Sequence, residues 1–175
     1  QGYLNAQYNL GVVYDTGEGV AQDKQQAFAW YSKAADQGDA DAEFNVGTMY
    51  DQGDGTEKDK SKAAIWYRKA AEQGKVEAQY NLGIMYRNGE GVAKDGAAAF
   101  SWFKKAADQG DASAQFNIGA MYADGDGIKQ DDAQAIKWFL KAAAQNDVEA
   151  EYNLGVMFRD GEGVAQNGPQ AVYWF

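Results

Sequence analysis

The sequence contains no cysteine and no histidine, and only one proline among its 175 residues. Without cysteine, disulfide bonds and thiolate metal sites are excluded. Without histidine, the chain lacks the side chain that most often acts as a general base or as a ligand of transition metals. No run of about 18 apolar residues is present, so no transmembrane helix is predicted. No basic-then-apolar leader is visible either, so no signal peptide is expected.

Basic residues are also in short supply. The chain has 16 lysines and arginines against 26 aspartates and glutamates, which gives a formal charge of -10. This balance argues against a nucleic-acid backbone as the partner. Apolar residues nevertheless make up 45% of the chain and aromatic residues 14%. A composition this rich in apolar residues predicts a folded chain and not a disordered one.

Glycine is plentiful, and it recurs with tryptophan and asparagine at a constant step of 36 residues. The three series are Trp30, Trp66, Trp102, Trp138 and Trp174; Asn9, Asn45, Asn81, Asn117 and Asn153; and Gly11, Gly47, Gly83, Gly119 and Gly155. A fixed period between 20 and 50 residues is typical of a solenoid or array. We therefore expect a single repeat array over residues 1–175. Its predicted repeats are 1–36, 37–72, 73–108, 109–144 and a truncated 145–175.

Residues 39–74 illustrate how one repeat is expected to fold. Asp39 is a good helix N-cap, and apolar residues then recur at helical spacing until Gly53, where a left-handed stop is favoured. A connector follows, and a second helix is expected from the N-cap Asp59 to Gly74. No strand pattern is present. The sequence thus predicts about ten helices of roughly 12–14 residues each.

Small residues at fixed positions indicate how the helices pack. The glycine series beginning at Gly11 lies inside the first helices, where glycine costs about 1 kcal/mol relative to alanine. This repeated cost is reasonable if a partner helix crosses at close range. Each tryptophan and the aromatic residue after it are expected to fill the gap between neighbouring repeats. Because one repeat cannot bury its own apolar face, stability should come from stacking.

The motifs resemble a known family of helical repeats. Residues 82–86 read Leu-Gly-Ile-Met-Tyr and are followed by Ala99, Phe103 and Ala106, the order found in tetratricopeptide repeats. The connector inside each repeat is four residues longer than in that family and carries Gly-x-Gly-Val. With Tyr-Asn-Leu-Gly-x-Met-Tyr before it and Trp-Tyr-x-Lys-Ala-Ala after it, the pattern is similar to the Sel-one-like repeat family.

This resemblance implies an all-α fold, a right-handed α-α superhelix (solenoid) of 36-residue helix-turn-helix repeats. It also implies a non-catalytic adaptor or scaffold, because members of that family are mostly adaptors and scaffolds with protein or peptide partners. Members of that family are often bacterial and secreted or periplasmic, or eukaryotic and in the endoplasmic reticulum, so a secreted or periplasmic location is suggested by the resemblance alone. Some bacterial members carry a cysteine pair in each repeat, which this chain lacks.

Two loop motifs superficially suggest chemistry. Residues 17–20, Gly-Glu-Gly-Val, look like a phosphate-binding loop, but that fingerprint needs a preceding strand. Residues 124–127, Asp-Gly-Asp-Gly, look like a calcium loop but lack its sixth-position glycine and terminal glutamate. Paired carboxylates recur at predicted helix starts, where they favour the helix dipole. We therefore predict no catalytic residue, no cofactor and no bound metal.

The candidate binding surface follows from the same resemblance, since the first helices of tetratricopeptide arrays line the concave face. It places two columns there, the asparagine series named above and the aromatic residues Tyr8, Phe44, Tyr80, Phe116 and Tyr152. An asparagine side chain could hold an extended peptide backbone, or it could bond a neighbouring helix and set the stack. The aromatic column is either a ligand platform or inter-repeat core. Both alternatives stay open here.

Groove positions that differ between repeats carry an acidic excess. The candidate ligand-binding residues among them are Asp51, Arg87, Asp124 and Arg159. Three variable series of the predicted groove together hold -5 of the chain's formal charge of -10. A basic partner is therefore favoured, with steering that salt should weaken.

The last predicted helix suggests an alternative function. Tyr173, Trp174 and Phe175 would form an apolar patch next to a missing neighbour, a feature typical of an interface. We expect either that the 175 residues are a segment of a longer array or that chains stack end to end. Because such contacts are heterologous, they propagate into a filament unless they close a ring. A third hypothesis is an enzyme whose active site lies in another domain.

Overall fold

A computed structural model describes residues 2–175, and within that range it contains ten α-helices and no strand. Residue 1, where the first predicted repeat begins, lies outside the described residues. Eight of the helices have 12 or 13 residues, whereas α1 has 15 and α10 has 7. The helices are α1 (Gly2–Thr16), α2 (Lys24–Ala35), α3 (Ala40–Gln52), α4 (Lys60–Glu72), α5 (Val76–Asn88), α6 (Gly96–Asp108), α7 (Ala112–Asp124), α8 (Asp132–Ala143), α9 (Val148–Asp160) and α10 (Gly168–Trp174).

The predicted helix caps are confirmed. Asp39 accepts a hydrogen bond of 2.8 Å from the backbone N–H of Ala42, and α3 ends at the left-handed Gly53 with φ 84°. Asp59 caps α4 by accepting from Lys62 N. One repeat departs from the pattern: α5 begins after Lys75, which makes no side-chain cap hydrogen bond.

The helices form two compact units, residues 1–94 with α1 to α5 and residues 95–175 with α6 to α10. In each unit, every helix packs against the next one in the chain. The core of the first unit includes Tyr31 and Val46, and the core of the second includes Phe139 and Leu154. The expectation of a single array with the five repeat boundaries given above stays a prediction.

The glycine inside each first helix makes the close approach that the sequence indicated. A Cβ atom on Gly47 would lie 2.7 Å from Cδ1 of Tyr67, and a Cβ on Gly119 would lie 2.7 Å from Cδ1 of Phe139. Both aromatic residues follow a tryptophan. They therefore pack first against the glycine of their own repeat, so the expectation that they fill the gap between repeats was only partly right.

The lengthened connector has a structural role that the sequence analysis did not identify. Gly55 has a positive φ of 67°, and a Cβ on it would lie 2.0 Å from the carbonyl oxygen of Lys24. Gly91 stands in the same relation to the Lys60 carbonyl, at 2.2 Å. In the second unit, Gly127 packs in this way against Gly96. The second glycine of Gly-x-Gly thus lets the connectors that contain Gly55, Gly91 and Gly127 contact the start of the second helix of the preceding repeat.

A second contact between repeats is polar. In the first unit, Gln79 Nε2 donates a hydrogen bond of 3.0 Å to the carbonyl of Ala71. In the second unit, Gln115 Nε2 donates 3.2 Å to the carbonyl of Ala107. The equivalent position in the second repeat holds Glu43, which is only 4% exposed. A carboxylate cannot donate, so at that junction this bond is missing when Glu43 is ionised.

Substitution of Gly55 by alanine tests the connector contact. A Cβ atom added to Gly55 would clash with the Lys24 carbonyl, whereas a Cβ atom added to Gly19 would have nothing within 4 Å. Both glycines have a positive φ. Both substitutions therefore carry the same cost of roughly 1–2 kcal/mol for placing alanine in a left-handed backbone conformation. We expect Gly55→Ala to lower the free energy of unfolding by about 1–3 kcal/mol more than Gly19→Ala, measured by urea denaturation. Equal losses would show that the connector does not hold the repeats together.

Substitution of Glu43 by glutamine tests the polar contact. Burial raises the pKa of Glu43, against the opposing effects of the Gln73 hydrogen bond and Lys69, while Asp39 and Glu72 raise it further. Stability from a group with a raised pKa is present at low pH and is lost as pH rises through the folded-state pKa. We therefore expect Glu43→Gln to stabilise the chain by about 1 kcal/mol at neutral pH. The gain should vanish below the ordinary carboxyl value of 4.5.

The measurement is urea denaturation of the parent and the variant across this pH range. Gln115→Glu is the matched reverse substitution, because it places a carboxyl at the equivalent buried position of the second unit. It should lose stability at neutral pH and regain it on acidification. A pH-independent effect of Glu43→Gln contradicts the assignment.

Candidate functional site

In the first unit, a pocket of about 440 Å³ lies among α3, α4, α5 and the connector after α5. It brings together four of the residues predicted for the binding surface, namely Phe44, Asn45, Asp51 and Asn81. The other residues that line it are Thr48, Gln52, Tyr67, Ile84, Met85 and Glu90. Two consecutive repeats therefore contribute equivalent asparagines to one cavity.

The polar groups of this pocket are only partly bonded to one another. The Tyr67 hydroxyl donates to Thr48 Oγ1 at 3.2 Å. Burial raises the pKa of Tyr67, and hydrogen bonds with Thr48 and Asn81 partly offset that effect. The Asn45 side chain, by contrast, makes no hydrogen bond to any residue in the described range 2–175. Its amide therefore makes no bond within that range that a ligand would have to displace.

A lysine neutralises the acidic edge of the same pocket. Lys60 Nζ contacts Glu90 Oε2 and lies 4.0 Å from Asp51 Oδ1. The hydrogen bond with Glu90 raises the pKa of Lys60, and the same bond lowers the pKa of Glu90. In the first repeat, Lys24 Nζ occupies the equivalent place at 2.7 Å from Asp15 Oδ1. A lysine at this position is therefore a shared feature of the first two repeats.

The second unit contains a pocket of about 330 Å³ at the equivalent position, between the fourth and fifth repeats of the chain. Two predicted residues, Asp124 and Asn153, line it, and Asn153 Nδ2 donates to the carbonyl of Glu149 at 2.7 Å. Two acids that the sequence analysis missed, Asp132 and Glu162, also line it. Its remaining lining residues are Ala123, Gln130, Phe139, Val156 and Met157.

The aromatic column packs inside the repeats. Phe44 lies against Tyr67 with ring centroids 5.6 Å apart, and Phe116 lies against Phe139 at 5.7 Å. Tyr8 and Tyr152 make the same contact with the aromatic residue after the tryptophan of their own repeats. Each ring thus supports the neighbouring second helix. Its role as a ligand platform stays a prediction.

Several predicted site residues line neither of these pockets. Asn117 is 5% exposed and donates to the carbonyl of Ser113 at 2.8 Å, a bond within its own helix. Asn9 is exposed, and Tyr80 and Arg87 are half-buried. Arg159 is paired with its neighbour Asp160 at 2.7 Å, which raises the pKa of Arg159 and lowers that of Asp160. Their assignment to a binding surface stays a prediction.

The residues predicted for end-to-end contact have different environments. Tyr173 and Phe175 are 73% and 61% exposed. Trp174 is half-buried and packs against the core of the second unit. Its Nε1 is buried and has no hydrogen-bond partner among the described residues. End-to-end contact itself stays a prediction.

The sequence analysis also missed a pairing of lysine with tryptophan. Lys69 Nζ lies 3.7 Å from the ring centroid of Trp66, and Lys141 Nζ lies 3.6 Å from that of Trp138. Cation–π contacts at exposed sites contribute about 0.5–1 kcal/mol each. The signal was present as an i, i+3 spacing on a helix, where such side chains are neighbours.

Clustered metal ligands and membrane-spanning helices are both absent from the part of the chain that the structure describes. Within residues 2–175 there is no group of three or more histidine, cysteine, aspartate or glutamate side chains that could hold a metal ion. None of the helices in that range has the length and apolar character needed to cross a membrane.

Comparison with known proteins establishes the class as an all-α helical-repeat scaffold and then the family. The model described as "Sel1 repeat" matches residues 4–39, 40–75, 76–111, 112–147 and 148–175. The chain therefore belongs to the Sel1 repeat family, and both the predicted resemblance and the predicted fold class are confirmed. No curated protein sequence matches the chain.

Solved structures of the same fold come from several bacteria. A protective antigen of uropathogenic Escherichia coli with an SLR fold is 40% identical, with a TM-score of 0.95 over 99% of this chain and 37% of that protein. A Sel1 repeat protein from Oxalobacter formigenes is 37% identical, with a TM-score of 0.95 over 98% of this chain and 71% of that one. An immunity protein from Pseudomonas aeruginosa is 25% identical, with a TM-score of 0.55 over 99% of this chain and 63% of that one.

Proposed function

We propose that this chain is a non-catalytic scaffold that binds an extended segment of a partner protein in the pockets between its repeats. Sel1 repeats commonly mediate protein interactions, which supports an interaction role. The chain spans 37% of the length of the Escherichia coli antigen and 63% of that of the immunity protein. The partner and activity of the whole protein are therefore part of this proposal.

The pair of equivalent asparagines in the first unit's pocket carries the proposal. Asn45 and Asn81 stand one repeat apart and line the same cavity. An amide side chain offers two N–H donors and a carbonyl acceptor, the groups that pair with a peptide backbone. The Asn45 amide has no partner among residues 2–175, so a backbone placed in the pocket would not compete with an existing bond.

The mixed lining of the cavity and the charge of the whole chain favour a polypeptide over a small cofactor. The pocket has aromatic and aliphatic walls from Phe44 and Ile84 beside its polar groups. Such a mixture suits alternating side chains of an extended segment. The formal charge of -10 favours a basic partner, whose association should slow as ionic strength rises.

The asparagine pair can be tested with a peptide selected by the chain itself. Binding segments are selected from a phage-displayed library of random peptides, and the tightest one is synthesised for calorimetry. We expect Asn45→Ala combined with Asn81→Ala to raise its Kd by roughly tenfold or more, because each lost hydrogen bond is worth about 0.5–1.5 kcal/mol. The melting temperature should stay close to that of the parent.

Gln26→Ala is the matched control, since it removes an exposed amide from α2 outside the pocket. Its Kd should equal that of the parent. Failure to select any segment, or an unchanged Kd in the double variant, contradicts the proposal. If the double variant loses stability while its folded fraction keeps full affinity, the asparagines are architectural.

A further inference from the structure

The asparagines of the 36-residue series do not all bond in the same way. Asn117 and Asn153 each donate a hydrogen bond to the carbonyl four residues back in their own helix, at 2.8 Å and 2.7 Å. Asn81, by contrast, shares a hydrogen bond with Tyr67 of α4. The amide thus bonds along its own helix in the second unit, whereas at Asn81 it bonds across to the neighbouring helix.

The aromatic residue that the preceding repeat places in the pocket explains the difference. Tyr67 and Asn81 line the pocket of the first unit, and Phe139 and Asn153 line that of the second at the equivalent positions. Phenylalanine has no hydroxyl group. The asparagine that follows it therefore bonds its own backbone, a local alternative that is open to this side chain.

The hydrogen bonds around Tyr67 have a fixed direction, which a backbone carbonyl sets. The Thr48 hydroxyl donates its proton to the carbonyl of Phe44 at 3.1 Å, so Thr48 Oγ1 accepts from the Tyr67 hydroxyl at 3.2 Å. Because each hydroxyl has a single proton, the donor between Tyr67 and Asn81 is an N–H of Asn81. The carbonyl oxygen and second N–H of that amide make no bond within residues 2–175 that a ligand would have to displace.

Of the five repeats, the second alone has the pair of residues that this relay needs, Thr48 with Tyr67. The equivalent pairs in the other repeats are Val12 with Tyr31, Ile84 with Phe103, Ala120 with Phe139, and Val156 with Phe175. In the first repeat, where valine replaces threonine, the Tyr31 hydroxyl is hydrogen-bonded to Asp15 instead. The sequence therefore supplies the relay at one junction, that of the second and third repeats.

We propose that Tyr67 is a positioning residue, whose hydroxyl holds the Asn81 amide across the pocket of the first unit so that it pairs with the backbone of the partner segment. This inference rests on the proposed function, because the oriented amide acts on a bound segment. It adds a location: backbone pairing takes place where Asn45 and Asn81 line one cavity. A side chain that is ordered before binding spares the complex that ordering cost.

Tyr67→Phe and Thr48→Val interrupt the relay with residue types that the chain already carries at the equivalent positions 103 and 12. The probe is the synthetic segment selected with the parent chain, measured by calorimetry. We expect each variant to raise its Kd by roughly threefold to tenfold, because binding must then order the Asn81 side chain.

Tyr31→Phe is the matched control. It removes the equivalent hydroxyl of the preceding repeat, which bonds Asp15 and does not line the pocket. Its Kd should equal that of the parent. An equal loss of affinity in this control overturns the proposal, because removal of either hydroxyl would then have the same effect.

A double-mutant cycle separates positioning from a direct contact. In the Asn81→Ala background the Tyr67 hydroxyl has no amide to hold, so adding Tyr67→Phe should leave the Kd within about twofold of that of Asn81→Ala alone. A further loss as large as the one in the parent background overturns the proposal, because Tyr67 would then act on the segment without Asn81.

Nuclear Overhauser effects check the orientation of the amide without any segment. In the isotope-labelled parent chain we expect such effects between the side-chain NH₂ protons of Asn81 and the ring protons of Tyr67. Tyr67→Phe should abolish them as the amide turns to its own helix. Phe139→Tyr combined with Ala120→Thr rebuilds the relay in the second unit and should create the equivalent signals at Asn153. Unchanged signals in Tyr67→Phe overturn the proposal.

The outcomes distinguish this inference from the proposed function. If Asn45→Ala combined with Asn81→Ala raises the Kd while Tyr67→Phe and Thr48→Val leave it unchanged, the positioning role is refuted and the proposed function stands. If no segment can be selected, the proposed function is refuted, and the binding role of Tyr67 is refuted with it even where the spectra show the expected orientation of Asn81.

Discussion

The contact between a helix glycine and an aromatic ring is the constraint on which the rest of each unit depends. Gly47 against Tyr67 and Gly119 against Phe139 leave no room for even one methyl group. This close approach fixes the distance between the two helices of a repeat, and the ring is then almost fully buried. Because the first and last glycines of the series make the same contact, the first helices present equivalent side chains from repeat to repeat.

The junctions between repeats add two further constraints. One is the close contact at the second connector glycine, and the other is the hydrogen bond from a buried glutamine. The second connector glycine brings backbone against backbone, so any side chain there forces the repeats apart. The glutamine that donates a hydrogen bond to the preceding repeat can be replaced by glutamate, as Glu43 shows. The replacement buries an acid, and burial raises the pKa of that acid. The repeat therefore tolerates a different polar residue at this buried position, provided that the new side chain can still form a hydrogen bond.

The two pockets combine the constant asparagine position with positions that differ between repeats. In the first unit, Asn45 makes no hydrogen bond among residues 2–175, and Lys60 neutralises the acidic edge of the pocket. In the second unit, the replacement of lysine by Asp132 leaves three acids around an otherwise equivalent cavity. The same architecture therefore surrounds two equivalent cavities with different sets of charged side chains.

The sequence alone determined the period, the helix caps and the fold class. These properties depend on interactions within a few residues, such as Asp39 with the N–H of Ala42, or on a constant spacing along the chain. It also placed Asn45 and Asn81 on a candidate surface. Only the tertiary structure decided that Asn45 makes no hydrogen bond within residues 2–175 while Asn117 bonds its own helix, because that depends on packing around each repeat. It alone brought Asp132 and Glu162 together, since residues this far apart in the chain meet only when consecutive repeats stack.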